Sequence, residues 1–321
     1  MRYRTYPRTG WKISDIGYGM WGMGGWTGSD DEESLRSLDL AVELGCNFFD
    51  TAWAYGNGHS EQLLAETLRR HADTRLYVAT KVPPKDRVWP GKAETPIADV
   101  FPPDHIREYT EKSLRNLGVD TIDLQQLHVW SDAWTGDEGW KRAVEELKRE
   151  KLISSFGISV NRWEPVNVLR ALDSGLVDCV QVVYNIFDQN PEDELFPYCQ
   201  QHGIAILGRV PFDEGSLTGT LGPDSTWPQG DWRNLYFTPA RLRETLERVE
   251  RLLPLVPPGQ TLPELALRFI LNHPAVTTTI PGMRRPAHVR ANLVASDGRP
   301  LPSDLLDRLR AHRWERDWQV P

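Results

Sequence analysis

The chain of 321 residues has only three cysteines and no sustained run of Lys or Arg. Cys46, Cys179 and Cys199 are odd in number and unrelated in spacing, which argues against a disulfide framework and against a zinc site. The net charge of −8 provides no electrostatic attraction to nucleic acid or to an anionic membrane. We therefore expect no bound metal, no nucleic-acid partner and no membrane partner.

Long hydrophobic runs are also absent from the sequence. The opening MRYRTYPRTGW has no apolar core of signal-peptide length, and no later segment approaches the length of a membrane span. Together with the unpaired cysteines, these absences fit a cytoplasmic location. No linker or shift in composition divides the chain, so we expect residues 1–321 to form a single domain.

What the sequence does contain is an eightfold alternation of short apolar runs and helical patterns. The expected strands are Ile16–Trp21, Asn47–Thr51, Leu76–Lys81, Ile122–His128, Ser155–Ser159, Cys179–Asn185, Ile204–Arg209 and Thr277–Pro281. The expected helices are Asp31–Leu44, Ser60–Arg70, Asp104–Leu117, Asp137–Arg149, Glu164–Leu172, Asp193–Gln201, Thr261–Leu271 and Pro286–Ala295. A strand followed by a helix, repeated eight times, predicts parallel strands with helices outside them, which is the (β/α)8 TIM barrel.

Three segments fall outside this repeat. The first dozen residues favour a β-hairpin that closes the bottom of the barrel. Two long loops, Pro83–Pro103 and Thr218–Pro239, follow the third and seventh strands, and an extra helix is expected over Pro239–Leu253. Long loops on the mouth side of a barrel usually shape the binding pocket.

Aromatic side chains are expected to form the walls of that pocket. The candidates are Trp53, Trp89, Trp130 and Trp232. Aromatic walls suit an aryl aldehyde or the apolar face of a sugar. The sequence leaves the oligomeric state open.

Four chemically active side chains lie at the ends of apolar runs or in the loops just after them: Asp50, Tyr55, Lys81 and His128. In a (β/α)8 barrel such positions converge on one mouth. The four together suit proton transfer to a carbonyl oxygen, and a nearby ammonium group is expected to lower the pKa of Tyr55 towards the working pH. Each residue alone has a structural explanation, as a turn cap, a packed aromatic, a solvated strand end or a core histidine. Their joint placement favours the functional interpretation.

These residues resemble the aldo-keto reductase family, in the branch of bacterial enzymes and potassium-channel β subunits. The resemblance covers nearly the whole chain and is carried by FFDTAWAYGNGHSEQLLAETL, VATKV, LRNLGVDTIDLQQLH, GISVNRWEP, QVVYNIFDQ, GSLTG and IPGMRRPAHVRANL. It implies a barrel that binds NADPH, with NADH possible, and reduces a small-molecule aldehyde or ketone without a metal. The choice between a keto-sugar, an aryl aldehyde and a small dicarbonyl as the substrate stays open.

The resemblance also implies a role for each member of the tetrad. Tyr55 is expected to be the general acid that protonates the carbonyl oxygen, and Lys81 to lower its pKa. Asp50 is expected to hold Lys81 by an ion pair, and His128 to hydrogen-bond the same oxygen.

The cofactor residues implied by the resemblance fall into four groups. Gly19, Met20 and Trp21 are expected behind the nicotinamide ribose, beside Asp50, although they also fit a plain barrel turn. Ser159, Asn161 and Gln181 are expected at the nicotinamide carboxamide; turn chemistry and a buried polar contact are the alternatives. The pyrophosphate group is Pro211, Leu217, Thr218 and Gly219. The adenosine group is Ile280, Gly282, Arg284, His288 and Asn292.

Arg284 is expected to contact a 2′-phosphate, which favours NADPH, although the alternative is a helix-start charge without a ligand. Arg209 stands where many relatives have an aromatic residue against the nicotinamide. Its guanidinium can stack on an aromatic ring, and its charge would disfavour the oxidised, cationic ring. We consider a role in raising the tendency to give up hydride, a contact with the pyrophosphate, or an ion pair with Asp213 or Glu214.

A second function is compatible with the same residues. The barrel could bind NADPH tightly as a regulatory or redox-sensing subunit with little turnover. A third, a barrel isomerase or lyase without nicotinamide, would require the segment from Arg284 to Asn292 to be unrelated to nucleotide binding.

Overall fold

The protein folds into a barrel of parallel strands. A computed structural model describes residues 1–25, 28–316 and 318. The strands are β1 (Tyr3–Thr5), β2 (Lys12–Ser14), β3 (Tyr18–Gly19), β4 (Phe48–Asp50), β5 (Tyr77–Val82), β6 (Ile122–Leu127), β7 (Ile153–Ser159), β8 (Cys179–Val183), β9 (Ala205–Arg209) and β10 (Thr278–Thr279). The helices are α1 (Asp31–Glu43), α2 (His59–Arg70), α3 (Ile97–Val100), α4 (Pro103–Leu117), α5 (Glu138–Arg149), α6 (Leu169–Leu172), α7 (Leu195–His202), α8 (Arg233–Tyr236), α9 (Pro239–Leu252), α10 (Leu262–Asn272), α11 (Pro286–Leu293) and α12 (Ser303–Arg310).

Strands β3 to β10 form one parallel sheet in sequence order. Isolated bridges from Ile16 to Thr279 and from Gly19 to Gly282 join the first and last of these strands. The sheet is therefore closed, and the (β/α)8 barrel expected from the sequence is confirmed. Gly19 is required at this seam, because a Cβ atom there would lie 2.4 Å from the Ile280 carbonyl oxygen.

The N-terminal hairpin, formed by β1 and β2, covers the bottom of the barrel as expected. Tyr6 is fully buried and its hydroxyl is 2.7 Å from Ser155 Oγ. Trp11 packs on Tyr6 and on Tyr77 of β5, with ring centroids 5.1 Å apart in both pairs. The hairpin thus supplies apolar side chains where the barrel interior would otherwise meet water.

The structure differs from the sequence expectations in several elements. The helix expected over Glu164–Leu172 is reduced to α6. The residues before α6 form separate turns, with Asn167 N donating to the Glu164 carbonyl at 3.0 Å. The Asp132 carboxylate accepts from the amides of Arg170 at 3.0 Å and Ala171 at 3.2 Å, which replaces earlier helical bonds. Helices α3 and α8 within the long loops, and α12 near the C-terminus, were not expected. No described helix is long and apolar enough to cross a membrane.

Candidate active site

Asp50 and Lys81 form a buried ion pair at the carboxyl ends of β4 and β5. Lys81 Nζ donates to Asp50 Oδ1 at 2.6 Å, and their side chains are 0% and 3% exposed. Lys81 also donates to the Thr51 carbonyl at 2.7 Å. The second Asp50 oxygen accepts from the amides of Gln126 at 3.2 Å and Gln181 at 2.8 Å. Because all these groups are satisfied, the ammonium is fixed in position and its charge is balanced.

Tyr55 lies in the loop after β4, with its ring centroid 5.3 Å from Lys81 Nζ. Burial raises the pKa of Tyr55; Lys81 and Arg209 lower it, and Asp50 adds to the rise. Lys81 lowers this pKa as expected from the sequence, but desolvation of the phenolate is the larger effect, so the pKa lies above its ordinary value instead of near the working pH. The hydroxyl keeps its proton at neutral pH and is available as a donor.

Glycine at position 24 allows the chain to approach Tyr55 closely. A Cβ atom on Gly24 would lie 2.3 Å from the Tyr55 carbonyl carbon, and one on Gly56 would lie 2.8 Å from the Gly24 carbonyl oxygen. The loop after β3 thus packs directly on the backbone that carries Tyr55.

His128 follows β6, and its ring is 5.7 Å from that of Tyr55 at an angle of 75°. Burial, followed by the charges of Lys81 and Arg209, holds the pKa of His128 well below 6.5. Its Nδ1 is buried without a hydrogen-bond partner among the described residues. The imidazole is therefore neutral, and it lies at the tyrosine as the sequence predicted.

The residues expected at the nicotinamide carboxamide divide into two kinds. Ser159 ends β7 and is buried, and its hydroxyl makes no hydrogen bond to a described side chain or backbone group. Asn161 instead holds the long loop after β5: it donates to the Gly91 carbonyl at 3.0 Å and accepts from the Gly91 amide at 3.2 Å. The Gln181 amide donates to Asp50. The geometry fits Ser159 as a cofactor residue and favours the structural alternative for Asn161 and Gln181.

The segments expected at the adenosine end and behind the ribose lie side by side. Gly19 bridges to Gly282, and Met20 N donates to the Asp50 carbonyl at 3.0 Å. Arg284 Nη1 donates to the Gly22 carbonyl at 3.4 Å. Trp21 is 41% exposed beside this junction, and Ile280 is buried beneath it.

This edge of the mouth is strongly basic. Burial, followed by the charges of Arg285 and Arg233, lowers the pKa of Arg284, and burial with Arg285 and Arg284 lowers that of His288. Arg284, Arg285 and His288 lie at the start of α11, and Arg285 also faces Glu33 at 3.6 Å. The cationic side chains of this edge suit a phosphate group. Asn292 lies one turn further along α11 and is buried.

The loop expected at the cofactor pyrophosphate has a well-packed base. Pro211 and Leu217 are buried, and Gly219 ends the helical turn Asp213–Thr218 with a φ of 72°. Thr218 Oγ1 donates to the Gly215 carbonyl at 2.6 Å. The loop is therefore held rigidly at the mouth.

The four tryptophans expected at the pocket wall are in different surroundings. Trp89 is 39% exposed and its ring is 5.9 Å from that of His128, while Trp53 packs on Tyr109 at 4.7 Å. Trp232 packs on Tyr236 at 6.0 Å in the second long loop. The expectation for Trp130 is wrong: it is 0% exposed and packs between Trp134 and Trp140, because its side chain points into the helix layer.

An ionic cluster beside the mouth was missed by the sequence analysis. Arg162 pairs with Glu214, and Arg316 pairs with Asp188 at 2.7 Å and with Asp213 at 2.9 Å. The acidic pair in the segment VPFDEG was visible in the sequence. Its arginine partners come from distant parts of the chain, so only the fold brings them together.

Comparisons with known proteins agree with this geometry. The sequence model of the Aldo/keto reductase family matches residues 15–313. Aldo-keto reductase YhdN of Bacillus subtilis is 30% identical over 298 residues, which are 91% of this chain and 87% of that protein. The NADH-specific methylglyoxal reductase of Escherichia coli is 29% identical over 88% of this chain and 90% of its own length. The structure of glycerol dehydrogenase AKR11B4 from Gluconobacter oxydans superposes with a TM-score of 0.80 at 26% identity, covering 99% of both chains.

Proposed function

Because the chain belongs to the aldo/keto reductase family, we propose that it reduces the carbonyl group of a small aldehyde or ketone, with Tyr55 as the general acid and NADPH as the cofactor. The observation that carries this proposal is the position of a protonated phenol beside a buried Lys81–Asp50 ion pair and a neutral His128. This arrangement supplies a proton donor, a cation for the resulting phenolate and a second polar group for the oxygen.

Each residue has one task in the proposed reaction. The bound cofactor supplies the hydride to the carbonyl carbon. Tyr55 gives its proton to the carbonyl oxygen as negative charge develops there, and Lys81 stabilises the phenolate that remains. Asp50 and the Thr51 carbonyl hold the ammonium in place. Neutral His128 donates a hydrogen bond to the same oxygen and orients the substrate.

The residues present fit a nicotinamide dinucleotide. A Cβ atom on Gly282 would meet nothing within 4 Å, so the backbone at the β3–β10 seam is open to a ligand. Ser159, at the carboxyl end of β7, offers a hydroxyl without a hydrogen-bond partner among the described residues, and Arg284, Arg285 and His288 offer donors for phosphate. We infer that Arg284 favours NADPH over NADH through a 2′-phosphate, and NADH remains the alternative because one relative is named as NADH-specific.

The test combines cofactor binding with turnover. Tryptophan fluorescence of the purified protein is titrated with NADPH and NADH, and a panel of carbonyl compounds is then assayed with the wild type and Tyr55→Phe. We expect Tyr55→Phe to bind NADPH as tightly as the wild type and to lose turnover by about 10² to 10⁴. Tyr77→Phe is the matched control, because Tyr77 lies in the core cluster around the hairpin at the bottom of the barrel, and its turnover should be unchanged.

Two results would contradict the proposal. The absence of saturable binding by either nucleotide would remove the cofactor assignment. Tight binding with wild-type turnover far below about 1 s⁻¹ on every carbonyl would favour the regulatory or redox-sensing barrel.

A further inference from the structure

Arg209 ends β9 and places a guanidinium at the mouth, within electrostatic reach of both Tyr55 and His128. Its Nη2 donates to the Val160 carbonyl at 3.0 Å. Its Nε is buried without a hydrogen-bond partner in the part of the chain that the structure describes. No ion pair to Arg209 occurs among the same residues, so its only bonded partner there is an uncharged carbonyl.

The carboxylates near Arg209 form ion pairs with other cationic side chains. Asp50 is held by Lys81, and Glu214 by Arg162. Asp213 accepts from Tyr236 at 2.6 Å and from Ser216 at 2.7 Å, and it pairs with Arg316. The expectation that Arg209 pairs with Asp213 or Glu214 is therefore wrong.

Arg209 is half-buried, with its Nε fully buried, and a partly buried cation without a directly bonded anion is unfavourable. Burial, assisted by the charge of Arg162, lowers the pKa of Arg209 to about 10, so the side chain remains charged at pH 7. The surrounding acids contribute only at longer range. An anionic ligand would supply the missing partner in the bidentate geometry that guanidinium favours.

The charge of Arg209 also bears on hydride transfer. A cation that disfavours the oxidised nicotinamide makes the reduced cofactor a weaker hydride donor, so the role in raising hydride donation expected from the sequence has the wrong sign. An anion bound to Arg209 would cancel that effect. Arg209 is thus compatible with efficient carbonyl reduction when a bound anion neutralises its charge.

We propose that Arg209 binds an anionic group of the substrate, and that the enzyme acts on carbonyl compounds carrying a carboxylate or a phosphate close to the carbonyl carbon. This inference rests on the proposed function. It places the anion at Arg209 while the carbonyl oxygen contacts Tyr55 and His128. The cofactor pyrophosphate is a second source of the same chemistry, and the experiment separates the two.

The experiment compares charged carbonyl compounds with uncharged counterparts: pyruvate with methyl pyruvate, 4-oxobutanoate with its methyl ester, and glyceraldehyde 3-phosphate with glyceraldehyde. The kcat/KM of each is measured for the wild type and Arg209→Met. The ratio of charged to uncharged substrate is compared between the two proteins, which cancels differences in intrinsic reactivity. We expect Arg209→Met to lower this ratio by about tenfold or more on at least one pair, the effect of losing a hydrogen bond to a charged group.

Binding without turnover gives a second measurement. The unreactive pyruvate analogue oxamate is titrated into the NADPH complex of each variant, and we expect its Kd to rise about tenfold in Arg209→Met and less in Arg209→Lys, which keeps the charge. Arg243→Met on the exposed face of α9 is the control and should leave both measurements unchanged. If Met is not tolerated, Arg209→Gln, which retains a donor for the Val160 carbonyl, replaces it.

Distinct outcomes would overturn the proposal. An equal loss on charged and uncharged substrates would assign Arg209 a general positioning role. A loss of NADPH affinity with an unchanged charge ratio would assign its anion to the cofactor pyrophosphate. A wild type that reduces the uncharged compounds and none of the charged ones would also overturn it. A wild type that binds no nucleotide would contradict the proposed function instead.

Discussion

At the scale of single residues, burial outweighs neighbouring charge in setting the protonation of the site. Lys81 lies close to Tyr55, as the sequence predicted, yet the pKa of Tyr55 is raised because burial is the larger effect. The identity and the neighbours of the tetrad could be predicted from positions at strand ends. The direction of this pKa shift could not, because the depth of burial depends on loops from other parts of the chain.

These pKa directions predict how carbonyl reduction depends on pH. The pKa of His128 lies well below 6.5 and that of Tyr55 above 10, so His128 stays neutral and Tyr55 stays protonated between about pH 6 and pH 8. The kcat/KM for reduction should therefore be flat across this range and should fall only in alkali, as the phenol ionises. A pH profile with an uncharged carbonyl compound measures this directly.

A matched histidine variant makes the pH test specific. His59 is an exposed histidine paired with Asp31, and His59→Gln should reproduce the wild-type profile. An ionisation near pH 6.5 that persists in His59→Gln and disappears in His128→Gln would contradict the neutral imidazole.

At the scale of elements, prediction succeeded where local pattern and tertiary packing agree. All eight barrel strands were predicted, because each combines a short apolar run with a place in the repeat. The stretch Glu164–Leu172 has helical periodicity, but its first part forms separate turns, and the distant Asp132 carboxylate accepts from the amides of Arg170 and Ala171. The short helices α3 and α8 lie in loops without periodicity, so their existence depends on what they pack against.

The bonds between Asn161 and Gly91 predict a role in loop order. Asn161→Ala removes both hydrogen bonds to Gly91 and the one to Glu164, and should cost about 1–3 kcal/mol of local stability. We expect faster proteolysis within Pro83–Pro103 and a several-fold rise in the KM for the carbonyl substrate. NADPH affinity should change by less than about twofold, since no NADPH contact is assigned to this amide.

Ser159→Ala provides the contrast for that experiment. Its hydroxyl has no hydrogen-bond partner in the described part of the chain, so this variant should weaken NADPH binding and leave loop proteolysis unchanged. If Asn161→Ala instead lowered the affinity for NADPH about tenfold and left proteolysis of the loop unchanged, the result would support the contact between Asn161 and the nicotinamide carboxamide that the sequence predicted.

At the scale of the whole molecule, the barrel topology is what places the site. Eight repeats determine the convergence of strand ends, so the tetrad could be assigned to one mouth from the sequence. The ionic cluster could not, because Arg162, Asp213 and Arg316 are far apart in the chain and no local pattern pairs them. The same cluster occupies the acids that would otherwise neutralise Arg209, so a feature of the whole fold determines the charge of the pocket.

The position of the hairpin at the opposite end from the mouth predicts that stability and cofactor binding can be separated. Tyr6 is 0% exposed, and its hydroxyl is 2.7 Å from Ser155 Oγ. Tyr6→Ala removes a buried aromatic ring and should lower the free energy of unfolding by about 3–5 kcal/mol. Tyr6→Phe should lower it by about 1–2 kcal/mol, because the Ser155 hydroxyl then loses its hydrogen-bond partner. Urea denaturation measures both.

The matched control for Tyr6 is Tyr3→Phe, since Tyr3 is 49% exposed and bonds to the Gly45 carbonyl at the surface; its change should stay below about 1 kcal/mol. In all three variants, the Kd for NADPH measured well below the unfolding transition should equal that of the wild type, because the Tyr6 hydroxyl bonds at the opposite end of the barrel from the mouth. Of the residues expected at the cofactor, Ile280 shares the core cluster of Tyr6, and we expect its backbone to keep its position. A fall in NADPH affinity that tracks the loss of stability would instead show that the hairpin holds the barrel in the shape its mouth requires.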